Sequence, residues 1–332
     1  MNKQNSLSSI SKYRSPIMGM AIIWVVMFHY RLQAPVLSVI SKYGYVGVDF
    51  FMFLSAFGLY YSMSKNDNVM MFYKRRFLRI FPTYFIIGFL CTYFLYQENV
   101  SIIDFLWVYS TLGYFTDGEF GGWFIPSIVV LYVAFPFLYH TIMKRDDMRL
   151  FGFLMTVVSF LVGYYVVFEN PNMTFTDSDR LWKHVLLLYR LPVFFMGFFT
   201  AHVLLTKKKE TVLWLGAWAF AFVGVGLYCM KTTMSVCLST SLVSLLLLYV
   251  LVALANKVGD CKMLNNVMVG GVGKASLEIY MIHLPVIVAL KRMFPMPFAE
   301  HYDTCALLTL LLVCVIGILA HKILSKIYAK IW

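Results

Sequence analysis

The sequence predicts an all-α protein, a polytopic bundle of about ten transmembrane helices making a single domain over residues 1–332. Three observations predict it. Hydrophobic residues make up 61% of the chain and charged residues 13%, with a mean hydropathy of +0.75. Soluble domains are about half apolar and about a quarter charged, so this composition excludes that class. The apolar residues gather into runs of about 20, the length of helix that crosses a hydrocarbon core about 30 Å thick. Lys and Arg fall mainly in the gaps between those runs. No linker, low-complexity stretch or internal repeat divides the chain.

From the N-terminus, the expected spans are 16–34, 44–63, 78–97, 123–143, 150–168, 184–205, 211–230, 234–255, 273–293 and 303–323. The first follows a basic, Ser-rich leader without a small-residue cleavage site, so it is expected to stay as a helix. Lys65 closes the second, and the cluster from Lys74 to Arg79 leads into the third. Lys144, Arg145 and Arg149 separate the fourth from the fifth, and Lys207, Lys208 and Lys209 separate the sixth from the seventh. Ser101–Phe115 is apolar but too short to cross and is interrupted by Asp104. It reads as an interfacial or re-entrant segment.

Orientation follows from the cations. With the N-terminus in the cytoplasm, the inner segments hold Lys3, Lys12, Arg14, Lys65, Lys74, Arg75, Arg76, Arg79, Lys144, Arg145, Arg149, Lys207, Lys208, Lys209, Lys257, Lys262, Lys274, Lys322, Lys326 and Lys330. That is 20 of the 28 basic residues, leaving 8 outside, and the positive-inside bias therefore puts both termini in the cytoplasm. The outer loop from Gln97 to Gly122 carries Glu98, Asp104, Asp117 and Glu119 and no cation, which agrees. The same distribution accounts for the net charge of +12 without a nucleic-acid partner. Cys91, Cys229, Cys237, Cys261, Cys305 and Cys314 form no CxxC pair and mostly lie in apolar runs, so they read as small hydrophobes with no metal site or disulfide frame.

Ionisable groups within apolar runs are costly, at about 2.5–3.5 kcal/mol each near the bilayer centre, and are functional candidates by default. His29 and Asp49 each lie five residues from the outer end of their spans, roughly 7 Å deep, and Arg190 enters at a similar depth. His283 lies roughly 15 Å in from the cytoplasm, near the midplane. Arg76 and Arg79 are three apart on one helical face at the inner mouth of the third span. These groups and Glu278 trace a polar path from an inner basic patch to an outer His/Asp/Arg cluster. Plainer roles compete with that path. The arginines serve equally as headgroup anchors, Glu278 and Arg190 as interhelical pairs, and a lone histidine as a helix–helix hydrogen bond worth about 0.6 kcal/mol. His140, His184, His202, His301 and His321 fall at span ends or in loops, where an interfacial role is expected.

Six blocks carry a resemblance. They are AIIWVVMFHY (21–30), GYVGVDFFMFLSAFGLYYS (44–62), FYKRRFLRIFPTYF (72–85), WFIPSIVVLYVAFPFLY (123–139), RLPVFFMG (190–197) and GKASLEIYMIH (273–283). In this order they resemble the acyltransferase type 3 family, integral-membrane O-acyltransferases of bacterial glycans and lipids. The chain departs from the pattern at Met18, where the family usually has an arginine eleven positions before its essential histidine, and at Ala56, where it has glycine. Arg14 lies one turn earlier on much the same face as Met18.

The resemblance implies an enzyme of the bacterial inner membrane. It would move an acyl group, usually acetyl, from cytoplasmic acyl-CoA to a hydroxyl of a surface glycan or lipid-linked sugar, with no permanently bound cofactor. It implies His29 as general base with Asp49 orienting it, and Arg76 and Arg79 on the CoA phosphates. Arg14, Trp123, Arg190, Glu278, Tyr280 and His283 are then expected to bind substrate or donor. The bilayer, acyl-CoA and the glycan acceptor are the implied partners; nothing in the sequence sets the oligomeric state. Ten helices with a polar path also suit a transporter or flippase for a polar or lipid-linked substrate, although no corresponding halves are visible. A structural subunit of a polysaccharide-export complex is a third reading, and should not bind acyl-CoA.

Overall fold

A computed structural model describes residues 7–95, 100–116, 122–172, 185–258 and 271–331. Lys3, Glu98, Asp117, Glu119, His184, Cys261 and Lys262 lie outside the described residues. Among those described there is helix and no strand. The elements are α1 (Ile10–Tyr30), α2 (Pro35–Lys42), α3 (Gly47–Lys65), α4 (Val69–Leu90), α5 (Ile102–Tyr109), α6 (Leu112–Thr116), α7 (Phe124–Leu138), α8 (Met148–Gly163), α9 (Leu191–Leu205), α10 (Thr211–Tyr228), α11 (Thr233–Val258), α12 (Ser276–Met293), α13 (Pro295–Glu300) and α14 (Tyr302–Ile331). Wide π-type turns prolong α4, α7 and α8.

Among the described residues, seven stretches are long and apolar enough to cross a membrane: Pro35–Lys65, Phe124–Met143, Met148–Glu169, Val185–Leu205, Thr211–Tyr228, Thr233–Lys257 and Tyr302–Ile327. Seven of the ten expected spans are thus matched on length and composition. The other three expected spans form helices, α1, α4 and α12, but fall short on composition. Lys12, Arg14 and His29 dilute α1, the cluster from Lys74 to Arg79 dilutes α4, and Glu278, His283, Lys291 and Arg292 dilute α12. Ser101–Phe115 does prove too short to cross, since it divides into α5 and α6.

Two boundaries also move. α1 ends at Tyr30, four residues early, so His29 lies in its last turn and not five residues from the end. Arg31 leaves the helix in a left-handed conformation (φ 50°), and Pro35 bars continuation. The freed backbone is satisfied by α14. The Tyr302 hydroxyl donates to the Tyr30 carbonyl, and the Gln33 and Ala34 amides each donate to the Asp303 carboxylate at 2.7 Å. α4 begins at Val69, so Arg76 and Arg79 lie two turns and more inside a helix instead of at its mouth.

The helices group into two compact units that alternate along the chain. The first comprises Met1–Ser11, Asp49–Arg76 and Ser110–Gly259. Its core is aromatic: Phe72 stacks on Phe135 at 5.9 Å, and Phe135 meets Phe198 edge-on at 4.9 Å. Gly197 lets α9 lie on the backbone of α3, because a Cβ there would overlap the Phe53 carbonyl. Only 22% of the apolar stretch of α8, and of α10, is buried, against 83% for Pro35–Lys65. α8 and α10 therefore present Phe153, Phe160, Trp218 and Phe222 outward, as lipid-facing helices do.

The second unit comprises Lys12–Val48, Phe77–Tyr109 and Asp260–Trp332. The turn before α3 packs onto α1 through Gly44 and Gly47; a Cβ on Gly47 would stand 2.5 Å from the Ala21 carbonyl oxygen. Lipid tails are as apolar as leucine, so such close backbone contact, together with interhelical hydrogen bonds, supplies the attraction that the hydrophobic effect supplies in water.

Candidate active site

Within the second unit, His29 and His283 are brought together. Their rings lie 5.0 Å apart between centroids, tilted by 50°. His29 is partly exposed, whereas His283 is 1% exposed. The His283 Nδ1 pairs with the Tyr280 carbonyl one turn earlier on α12, and the Tyr280 ring lies 5.4 Å from the imidazole. A carbonyl only accepts, so Nδ1 carries the proton and Nε2 presents a lone pair. Nε2 is buried with no hydrogen-bond partner among the described residues.

The same unit builds a second network around Glu278, which is 0% exposed. Its Oε1 accepts from Arg79 Nη1 at 3.1 Å and pairs with His321 Nδ1 at 3.1 Å, while Arg79 Nη2 donates to the Lys274 carbonyl at 3.3 Å. Glu278 thus ties α4 to α14 through α12. The Arg79 side chain keeps 41% of its surface exposed. Arg14 is half-buried in the second turn of α1, fifteen residues before His29, or roughly 22 Å along the axis.

In the first unit, Asp49 and Arg190 form a buried ion pair. Arg190 Nε lies 3.3 Å from Asp49 Oδ1, and the two side chains are 2% and 0% exposed. Leu191 starts α9 with Pro192 at its second position, and Arg190 is the N-cap. There the guanidinium lies 4.6 Å from the Trp123 ring centre and 4.2 Å from that of Tyr189, and Nη1 donates to the Leu186 carbonyl at 3.0 Å. Ser241 donates to Asp49 Oδ1 at 2.8 Å, and Oδ2 is buried without a partner among the described residues. His29 and Asp49 fall in different units, and the groups that engage Asp49 within its own are Arg190 and Ser241. Arg76 lies over the Phe72 ring at 5.4 Å, with its Nε buried and without a hydrogen-bond partner among the described residues.

Two histidines expected to be interfacial are instead built into networks. One is His321 on Glu278. The other is His202, which is 1% exposed and links the Tyr60 hydroxyl on Nδ1 (2.8 Å) to Asp146 on Nε2 (2.8 Å). Lys208 also donates to Asp146. Sequence reasoning missed Ser241 as well. A signal for it existed in Ser235, Ser239, Ser241 and Ser244, a set of small polar residues inside one apolar run, all of them buried.

Comparison with known proteins now bears on these groups. The family model described as an acyltransferase domain, type 3, matches residues 19–320 and so extends over both units. A protein of Acidianus two-tailed virus, ORF330, whose name marks it as a proposed acetyltransferase, is 24% identical over 216 residues, covering 61% of this chain. The chain spans about three fifths (60%) of that relative's length. No solved structure matches. With the family's blocks in order and its domain covering nearly the whole sequence, this multi-pass membrane chain belongs to the acyltransferase type 3 family.

Proposed function

We propose that the protein is an O-acyltransferase of the bacterial inner membrane. It takes an acyl group, acetyl by preference, from cytoplasmic acyl-CoA and passes it to a hydroxyl of a surface glycan or lipid-linked sugar. The observation that carries this reading is the family match over residues 19–320. The topology proposed with it adds α1, α4 and α12 to the seven apolar stretches, giving ten crossings with both termini cytoplasmic. Charged helices of this kind cross membranes when their polar groups face the protein interior. Glu278 and His283 do so, at 0% and 1% exposure.

In this mechanism His29 removes the proton from the acceptor hydroxyl as its oxygen attacks the thioester carbonyl carbon. The C–S bond breaks with its electron pair on sulfur, and the CoA thiolate is protonated on departure. Arg79, half-exposed and held by Glu278, and Arg76, one turn before it on α4, meet the CoA phosphates by charge-assisted hydrogen bonds.

The test is transfer of label from radiolabelled acetyl-CoA to the glycan and lipid-linked sugar fractions of membranes that contain the protein. The expected product is an alkali-labile ester, formed about 10²- to 10⁴-fold more slowly by His29→Ala. Absence of transfer would overturn the reading, and movement of a sugar across the membrane without esterification would favour a carrier instead.

A further inference from the structure

We infer that His283 is the second proton site of the reaction, so that acyl transfer runs on a pair of imidazoles rather than on His29 alone. The inference rests on the proposed acyl transfer and assigns a role that neither the family match nor the named relative supplies.

Three features carry it. The rings of His29 and His283 are 5.0 Å apart between centroids, within reach of proton transfer through one bridging water. The Nδ1–H of His283 is committed to the Tyr280 carbonyl, which fixes the tautomer and leaves the basic electron pair on Nε2. Nε2 is buried and lacks a partner among the described residues, an arrangement that costs about 1–3 kcal/mol unless something is to be bound there. A histidine that served only to pack would satisfy that nitrogen or be replaced by an apolar side chain.

The proton balance explains the use of two rings. His29 takes the hydroxyl proton while the new C–O bond forms. The proton passes to His283 Nε2, which returns His29 to its neutral form before the tetrahedral intermediate collapses. Breaking the C–S bond then yields a thiolate, which takes the proton back from the pair. Acyl-CoA and alcohol become ester and CoA thiol, with no proton gained or lost.

His283 acts through His29 and is therefore a relay residue, and its test must separate proton transfer from packing. Membrane vesicles containing the full chain and the cell's own acceptors are given acetyl-CoA, and release of CoA thiol is followed. His283→Gln, close in size and not basic, is expected to lower kcat by about 10²-fold with KM for acetyl-CoA unchanged. His283→Ala leaves a hole the size of the lost ring. Added imidazole is expected to restore turnover, and pyrrole, of the same size but without a basic nitrogen, is not. Wild-type kcat in His283→Gln, a loss confined to KM, or restoration no better by imidazole than by pyrrole would each overturn the inference. If His29→Ala loses turnover while His283→Gln keeps it, the relay alone fails; if neither variant loses it, the base assignment fails too.

Discussion

Arg190→Met leaves the Asp49 carboxylate at 0% exposure with the Ser241 hydroxyl as its remaining partner among the described residues. At 3.3 Å and an effective dielectric of about 20, the lost attraction is ~5 kcal/mol, and breaking a buried pair by removing one partner costs about 3–5 kcal/mol. Asp49→Asn should cost less. The cation it strands is still stacked between Trp123 and Tyr189 at 4.6 and 4.2 Å and still bonded to the Leu186 carbonyl, and a desolvated cation–π contact contributes up to about 2 kcal/mol. The double variant removes both charges together, so it should be more stable than the two single losses add up to, by a coupling energy of about 2 kcal/mol, or roughly 30-fold in the folding equilibrium. Unfolding of the purified protein in lipid nanodiscs, followed by tryptophan fluorescence, measures all four corners of the cycle. Additive losses, or an Arg190→Met variant no less stable than Asp49→Asn, would refute the argument.

Arg76→Gln with Arg79→Gln is expected to weaken acetyl-CoA binding by at least tenfold in a calorimetric titration while membrane insertion is kept; unchanged affinity would return both residues to headgroup anchoring. A periplasm-dependent reporter fused after Trp332 should stay silent, and signal there would overturn the cytoplasmic C-terminus. Asp146 lies in the loop between α7 and α8, where first Lys208 and then His202 hold its carboxyl below the ordinary value. A depressed folded-state pKa gives stability that is present above the unfolded value and lost as pH falls through the folded one. Because Asp146 is 52% exposed, Asp146→Asn should cost no more than about 1 kcal/mol at neutral pH, and the difference from wild type should begin to shrink as pH falls to about 4 and vanish only below the depressed folded-state value; a difference that grows with acid would contradict the pairing.

Membrane class, the position of most apolar stretches and the family blocks were all legible in the sequence. Partition into lipid depends on the composition of each local run of residues, and six expected spans reappear as apolar helical stretches within a few residues of their expected ends. A seventh, the span at 44–63, merges with α2 into one stretch from Pro35 to Lys65. Composition also set the limit. Cations that lie on a helix lower its apparent hydropathy whether they face lipid or protein, so α1, α4 and α12 cannot be ranked by sequence alone.

What only the tertiary structure decided is which polar groups meet. A charge inside an apolar run announces that a partner must exist, but packing chooses it from a distant part of the chain. Ser241 reaches Asp49 across 192 residues, Arg79 reaches Glu278 across 199, and His321 reaches Glu278 across 43. His202 and His321 look interfacial by position and become network members because the loop after α7 delivers Asp146 to one and α12 delivers Glu278 to the other. His29 and His283 share one level only because α1 and α12 belong to the same packed unit. Helix formation is settled within a few turns of sequence, whereas the satisfaction of a buried donor or acceptor is settled by the neighbour that arrives beside it.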